Sequence, residues 1–214
     1  MARFLCPACG AEVPFRTADG VTTTCGSCGN LLIRKDLTLE SLGKVATLAD
    51  DLTPLQIGAV GKYRGSGFTV VGRSRVDWAE GTWNEWFVAF DSGETGWLAE
   101  SQGNWAMLKE VPSSSAPKLD PKALRPGTSI AIGKYTFEVE DAREAWVAGI
   151  QGELPKVVRP GKKYFSVDLT VPAGEGGVAT ASIGFPDTGP EVYVGEWVDF
   201  PEFHFAGLRV LDGW

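Results

Sequence analysis

Phe68-Thr69-Val70-Val71-Gly72-Arg73-Ser74-Arg75-Val76, with Asn84-Glu85-Trp86-Phe87-Val88-Ala89-Phe90 after it, decides the fold class. Both stretches are rich in β-branched and aromatic residues. In the second, Trp86, Val88 and Phe90 alternate with Phe87 and Ala89, the period of a strand with two different faces. Tyr63-Arg64-Gly65-Ser66-Gly67-Phe68 turns the chain into the first stretch, and Asp91-Ser92-Gly93 leads from the second into Thr95-Gly96-Trp97-Leu98-Ala99. Trp105-Ala106-Met107-Leu108 reads as a further strand. Residues 53–111 are therefore expected to form a small antiparallel, SH3-like barrel without helix.

Outward from this module the chain is punctuated clearly. Pro112-Ser113-Ser114-Ser115-Ala116-Pro117 opens a polar linker over residues 112–123. Residues 124–214 form a second, larger β module, with strands expected at Tyr135–Val139, Ala145–Ile150, Tyr164–Val171, Val178–Phe185, Val192–Val198 and Leu208–Leu211. Its start echoes the first module: Leu55-Gln56-Ile57-Gly58 and Gly61-Lys62-Tyr63 return as Leu124-Arg125-Pro126-Gly127 and Gly133-Lys134-Tyr135. Upstream, residues 36–52 mix helical and strand spacing around Gly43 and read as a semi-ordered connector.

The amino-terminal 35 residues carry every cysteine of the chain, in the pattern C-x2-C-x15-C-x2-C: Cys6, Cys9, Cys25 and Cys28. Two such knuckles supply four thiolates to one tetrahedral metal, and Gly10 and Gly29 after them permit the turn each knuckle needs. Asp19-Gly20 between Val13-Pro14-Phe15 and Val21-Thr22-Thr23-Thr24 signals a hairpin. The expectation is a ribbon with one structural Zn²⁺ per chain; iron in the same thiolates stays open. Four protein ligands leave no position for a substrate. A redox Cys-x-x-Cys would sit at the start of a helix, a context missing here.

The Cys-Pro-Ala-Cys-Gly and Cys-Gly-Ser-Cys-Gly-Asn knuckles resemble the zinc ribbon preceding a bacterial domain, domain-of-unknown-function family 4178. Leu55, Gly58, Gly61-Lys62-Tyr63, Phe68 to Gly72, Glu85-Trp86, Gly96-Trp97-Leu98 and Gly103-Asn104-Trp105 look like that family's repeated core. Val194-Gly195-Glu196 looks like its closing part. The resemblance implies no known enzymatic activity, and it implies neighbours belonging to a multi-protein system near the membrane.

Composition narrows function further. The 214 residues carry a net charge of −7, 8 Trp and a single His. So acidic a chain lacks the extended basic footprint of a nucleic-acid binder; Arg159 with Lys162-Lys163 is only a spot. No run is long and apolar enough to span a bilayer, the start lacks a secretory core, and the cysteines suit a reducing compartment, so a cytoplasmic location is expected. Asp91-Ser92-Gly93 and Asp187-Thr188-Gly189 mimic paired aspartic-protease turns, but Pro190 and unlike flanks favour ordinary β-turns. His204, between Phe203 and Phe205, has no evident nucleophile to serve. Gly174-Glu175-Gly176-Gly177 joins strands and reads as a hairpin tip.

Trp78 and Trp83 flank a turn at Glu80-Gly81 and exceed what a small core can hold, so they are expected either to anchor a protein partner or to cover a face between the modules of this chain. The expected function is a non-enzymatic adaptor or scaffold. A nucleic-acid-associated ribbon protein is the alternative. An unrecognised hydrolase is the third, to be signalled by an internal pocket with perturbed carboxylates.

Overall fold

The alternating strands close on one another. The computed structural model describes residues 2–44, 48, 51–172 and 178–211. At the amino terminus β1 (Ala2–Leu5) pairs with β2 (Glu12–Phe15), and β3 (Thr22–Thr24), β4 (Asn30–Lys35) and β5 (Thr38–Lys44) form an antiparallel meander. Val13, Phe15 and Leu32 are buried with Cys6 and Cys25 in this ribbon's small core.

Two local expectations change here. Residues 38–44 are strand, because Leu39 and Glu40 find partners in Arg34 and Ile33; Val45 and part of the expected connector lie outside the described residues. The Asp19-Gly20 hairpin is not made either. Glu153 captures the loop instead: its carboxylate accepts the Arg16 and Thr17 backbone N–H groups at 2.6 and 3.0 Å and the Thr17 hydroxyl. The strand after the loop then pairs with Glu153 and Leu154.

The rest is built from β6 (Val60–Tyr63), β7 (Ser66–Trp78), β8 (Gly81–Phe90), β9 (Thr95–Ser101) and β10 (Asn104–Glu110). Then come β11 (Ser129–Ile132), β12 (Tyr135–Leu154), β13 (Lys163–Thr170), β14 (Ala179–Phe185) and β15 (Glu191–Trp197). Arg64 and Gly65, at φ 50° and 81°, make the tight β6–β7 turn, whose positive φ at both central residues suits a twisted hairpin. Leu208–Leu211 is not a strand, and the Gly174 to Gly177 tip lies outside the described residues.

Among the described residues eight strands form a closed ring, in the order β7-β8-β9-β10-β15-β14-β13-β12 and back to β7, every neighbour antiparallel. The two expected modules are thus halves of one barrel. The 112–123 linker lies between them in sequence, yet β10 pairs with β15 and β7 with β12 across that boundary.

The halves repeat each other. Gly58 N–H donates to the Val70 carbonyl, and Val70 N–H donates back to Ala59, both at 2.8 Å. Gly127, Val139 and Thr128 make the same pair of bonds at 2.9 Å. The echo in sequence therefore marks the same corner, where a short strand meets a long one. Both long strands bulge: β7 against β8 between Val70 and Gly72, β12 against β13 between Val139 and Asp141. A bulge bends a strand, and bent strands allow a sheet to curve shut.

The apolar packing lies mainly outside the ring. One core packs Phe68, Val70, Trp86, Val88, Leu98, Trp105 and Met107 against Leu55, Phe203 and the aromatics of 198–205. The other packs Phe137, Val139, Val167, Leu169, Ile183 and Val192 under Leu124 and Ile132. Because alternate residues point to opposite faces, these cores send the intervening side chains inward.

Candidate functional site

Two places gather chemistry. The first is the cysteine cluster, whose four Sγ atoms lie within 4.8 Å of one another. Cys6–Cys28 and Cys9–Cys25 are each 3.7 Å apart. A tetrahedron with metal–sulfur bonds of about 2.3 Å has edges of roughly 3.8 Å, so the spacing suits one tetrahedral ion. Each knuckle is closed by a backbone bond, Gly10 N–H to the Cys6 carbonyl at 2.8 Å and Gly29 N–H to Cys25 at 2.9 Å. Both glycines sit at positive φ, 75° and 69°.

Electrostatics favour a cation in this cluster. The Asn30 side-chain amide donates to the Cys28 sulfur at 3.1 Å, and with the Asn30 backbone N–H it pulls that thiol down to about 6. At Cys9 the Ala11 amide lowers the thiol, but Cys28 foremost and burial outweigh it and push Cys9 up to about 12. Bare thiols this close do not ionise together; a metal ion permits it. The four cysteines can hold one metal ion.

The second place is the ring's interior, a cavity of about 1220 Å³ lined from all eight strands. From the first half come Ser74 on β7, Glu85 on β8, Ala99 on β9 and Ala106 on β10; from the second, Arg143 on β12, Asp168 on β13, Ser182 on β14 and Tyr193 on β15. One end is floored by Phe87, Trp97, Leu108, Ile150, Leu154 and Val158, joined there by Leu31 of the ribbon. At the other end the β7–β8 and β9–β10 turns come together with Trp197, which keeps 41% of its surface exposed.

The lumen's polar groups are arranged in an ordered way among apolar and aromatic walls. Lys156, from the segment after β12, pairs with Glu191, donates to the Tyr193 hydroxyl at 3.1 Å, and lies 5.4 and 5.5 Å from the Trp97 and Tyr193 ring centres. Arg143 pairs with Asp141 at 2.5 Å and Asp168 at 2.9 Å, and stacks 4.5 Å from Trp78 and 6.0 Å from Trp83. Glu85 accepts the Trp83 indole N–H at 3.1 Å. Among the described residues no ion pair involves Glu85.

Enclosure perturbs these groups. Burial pushes the Glu85 carboxyl up and Glu191 adds to it, while Lys156 and the Trp83 N–H oppose. Burial, then Asp141, Glu140 and Glu85, push Asp168 up to about 6 against the pull of Arg143. The Tyr164 and Tyr193 hydroxyls are raised by burial and by neighbouring carboxylates. Asp168's side chain still keeps 47% of its surface, because it faces the lumen it lines and is surrounded by protein rather than packed against it.

A family described as Domain of unknown function (DUF4178) matches residues 56–200, more than half of the chain. The chain belongs to that family. No curated protein and no solved structure matches it. In this DUF4178 chain the matched span takes in the whole ring and its lumen; the four cysteines lie before it. Among the described residues no helix is long and apolar enough to cross a membrane.

Other residues singled out in the sequence are scattered. Trp83 lines the lumen, and Trp78 lies beside it across Arg143; both are half-buried rather than free on the outer surface. Asp91 lies in a shallow recess with Arg3 and Arg16, whereas Asp187 is at the lumen and paired with Lys162, so the two Asp-x-Gly turns build no common site. His204 is an exposed, left-handed cap residue at φ 46°. Sequence reasoning missed Glu85, Arg143, Lys156, Tyr164, Asp168 and Tyr193. For Tyr164 and Asp168 the trace was the alternation Ser166-Val167-Asp168-Leu169-Thr170, which reads equally well as a strand with one solvent-facing side, and Glu85 stood only as a framework position beside Trp86.

Proposed function

We propose that this chain is a non-enzymatic, ligand-receiving adaptor: a small molecule enters the barrel lumen, and protein partners respond to the loaded form. One observation carries the reading. The ring is closed, its apolar cores lie outside, and its inside is a cavity of about 1220 Å³ with aromatic and charged walls. Eight-stranded barrels either fill with side chains or hold a ligand. Enclosing carboxylates, tyrosines and a lysine costs stability that an apolar filling would not, which is the mark of a site kept for use.

In the same proposal Cys6, Cys9, Cys25 and Cys28 hold a structural zinc, one per chain, and the protein works in the cytoplasm beside a membrane-associated assembly. The ribbon presents Leu5, Leu37 and Leu42, exposed at 70%, 90% and 46%, as a partner-facing surface. A nucleic-acid role has less support, since Lys162 and Lys163 at the lumen are paired with Asp187 and Glu144. The raised carboxyls of Glu85 and Asp168 give a hydrolase a specific argument, and loss of turnover on an ester or glycoside panel in Asp168→Asn would favour it.

The test is to denature the purified native chain and identify released small molecules by mass spectrometry, beside an Ala99→Trp variant that narrows the lumen at the wall beside Glu85. A stoichiometric compound present in the first and missing from the second is expected. If the native chain releases nothing and no soluble compound shifts its melting, the receptor reading falls.

A further inference from the structure

Two of the five cationic side chains lining the lumen, Lys156 and Arg143, show what its walls are built to hold. Lys156 and Arg143 each sit against two aromatic rings with a carboxylate at the charged tip: Trp97, Tyr193 and Glu191 for the first, Trp78, Trp83 and Asp168 for the second. An aromatic face attracts a cation through its quadrupole, and more strongly when water is excluded.

Glu85 stands apart. It is set in the same wall, its neighbour Trp83 donates to it at 3.1 Å, and no ion pair among the described residues involves it. The charged groups acting on it are Lys156 and Glu191, and its own charge is felt by Asp168, Tyr164 and Tyr193. Lys156 and Arg143 are each committed elsewhere. A third carboxylate is therefore set among aromatic rings, with no cation of the described residues in contact with it. Beside it, Ala99, Ala106 and Leu108 give the lumen a smooth apolar wall on the adjoining strands.

We infer that the lumen binds an organic ammonium ion, its charged nitrogen on the Glu85 carboxylate among the lumen's aromatic rings and its apolar body against Ala99, Ala106 and Leu108. The inference rests on the receptor reading above and names the ligand class. An anionic ligand would meet Glu85, Asp168 and Glu191, while Arg143, Lys156, Lys162 and Lys163 are paired with carboxylates and, among the described lining cations, the exposed Arg159 is the one left for it. A neutral one would leave half-buried Glu85 with no cation in contact and only the more distant charge of Lys156 acting on it, a costly arrangement for a carboxylate.

The experiment is calorimetric titration of the full chain with phenethylammonium, and with phenylpropionate and 2-phenylethanol as anionic and neutral counterparts. The expected result is saturable binding of the ammonium alone, weakened at least tenfold by Glu85→Gln. The melting midpoint of that variant should not fall, because removing an unpaired enclosed charge costs the fold nothing. Equal or tighter binding of phenylpropionate or 2-phenylethanol overturns the ammonium class and leaves the receptor reading standing. Unchanged ammonium affinity in a folded Glu85→Gln overturns the role of Glu85. If none of the three probes binds and the denatured protein releases no small molecule, both readings fall together.

Discussion

Gly195→Ala should open the barrel. Gly195 lies on β15 opposite Leu108 of β10, one of the two seams that join the halves. A Cβ built there would fall 2.7 Å from the Met107 carbonyl carbon and 2.8 Å from the Leu108 Cα, and closer still to the Met107 oxygen. These are backbone atoms of the partner strand, so no rotamer change relieves the clash and the strands must part. Overpacking costs about 1–3 kcal/mol, and each ladder hydrogen bond lost with it about 0.5–1.5 kcal/mol. The sum is about 2–5 kcal/mol, or a melting point lower by roughly 4–20 °C for a chain of this size. Gly184→Ala on β14 is the control: its Cβ would meet the Tyr164 ring at 3.7 Å, ordinary contact, and should shift melting little. Thermal unfolding followed by circular dichroism measures both. A Gly195→Ala protein that melts with the native chain, or no earlier than Gly184→Ala, would refute the seam and the closed ring with it.

Trp86→Ala should cost about 3–5 kcal/mol, read as a loss of denaturant midpoint, since the side chain is fully buried and its indole N–H holds Glu100 at 2.8 Å. Purified native chain should contain about one metal per chain and Cys25→Ser much less by elemental analysis, while far-ultraviolet dichroism keeps most β signal because no ribbon strand closes the ring. Asp168, raised to about 6 against about 3.9 in an unfolded chain, binds more protons folded than unfolded, so its contribution is present at low pH and is lost as pH rises through about 6. The melting point of Asp168→Asn relative to the native chain should accordingly rise from about pH 4 to about pH 6 and level off above it; a flat or falling difference across that window would refute the assignment.

Much of this was legible in the sequence, and the rest was hidden for definable reasons. Cys6, Cys9, Cys25 and Cys28 are local pairs whose spacing alone places four sulfurs together. Trp86, Val88 and Phe90 declared a buried face by alternation, and all three lie in one core. The closed ring was not legible, because pairing of β7 with β12 and β10 with β15 joins residues some 70 to 90 positions apart and leaves no local pattern. Gly72 and Gly195 did stand among the family-like framework positions. Their reason became visible only at the seams, where a Cβ on either would strike the backbone of the opposite half.

The lumen was hidden by a deeper ambiguity. A strand with one apolar and one polar face normally turns the polar one to water, and nothing in Tyr164, Ser166 or Asp168 distinguishes bulk water from an enclosed cavity. What decides the matter is supply of cover. The 53–59 and 198–208 segments cap the apolar face of the first half, and 111–132 caps that of the second. With both apolar faces covered from outside, each four-stranded half is left with its polar face unprotected on one side. Joining the halves edge to edge satisfies the unpaired edge groups of β7, β10, β12 and β15 and turns both polar faces toward each other. The cavity is thus a consequence of duplication: two half-barrels, each complete on its apolar side, enclose between them whatever their other sides present. The chain fills that space with Glu85, Asp168, Tyr164 and Tyr193 where Leu or Val would have been more stable, and this choice of residues, more than the barrel's shape, argues that something is meant to enter.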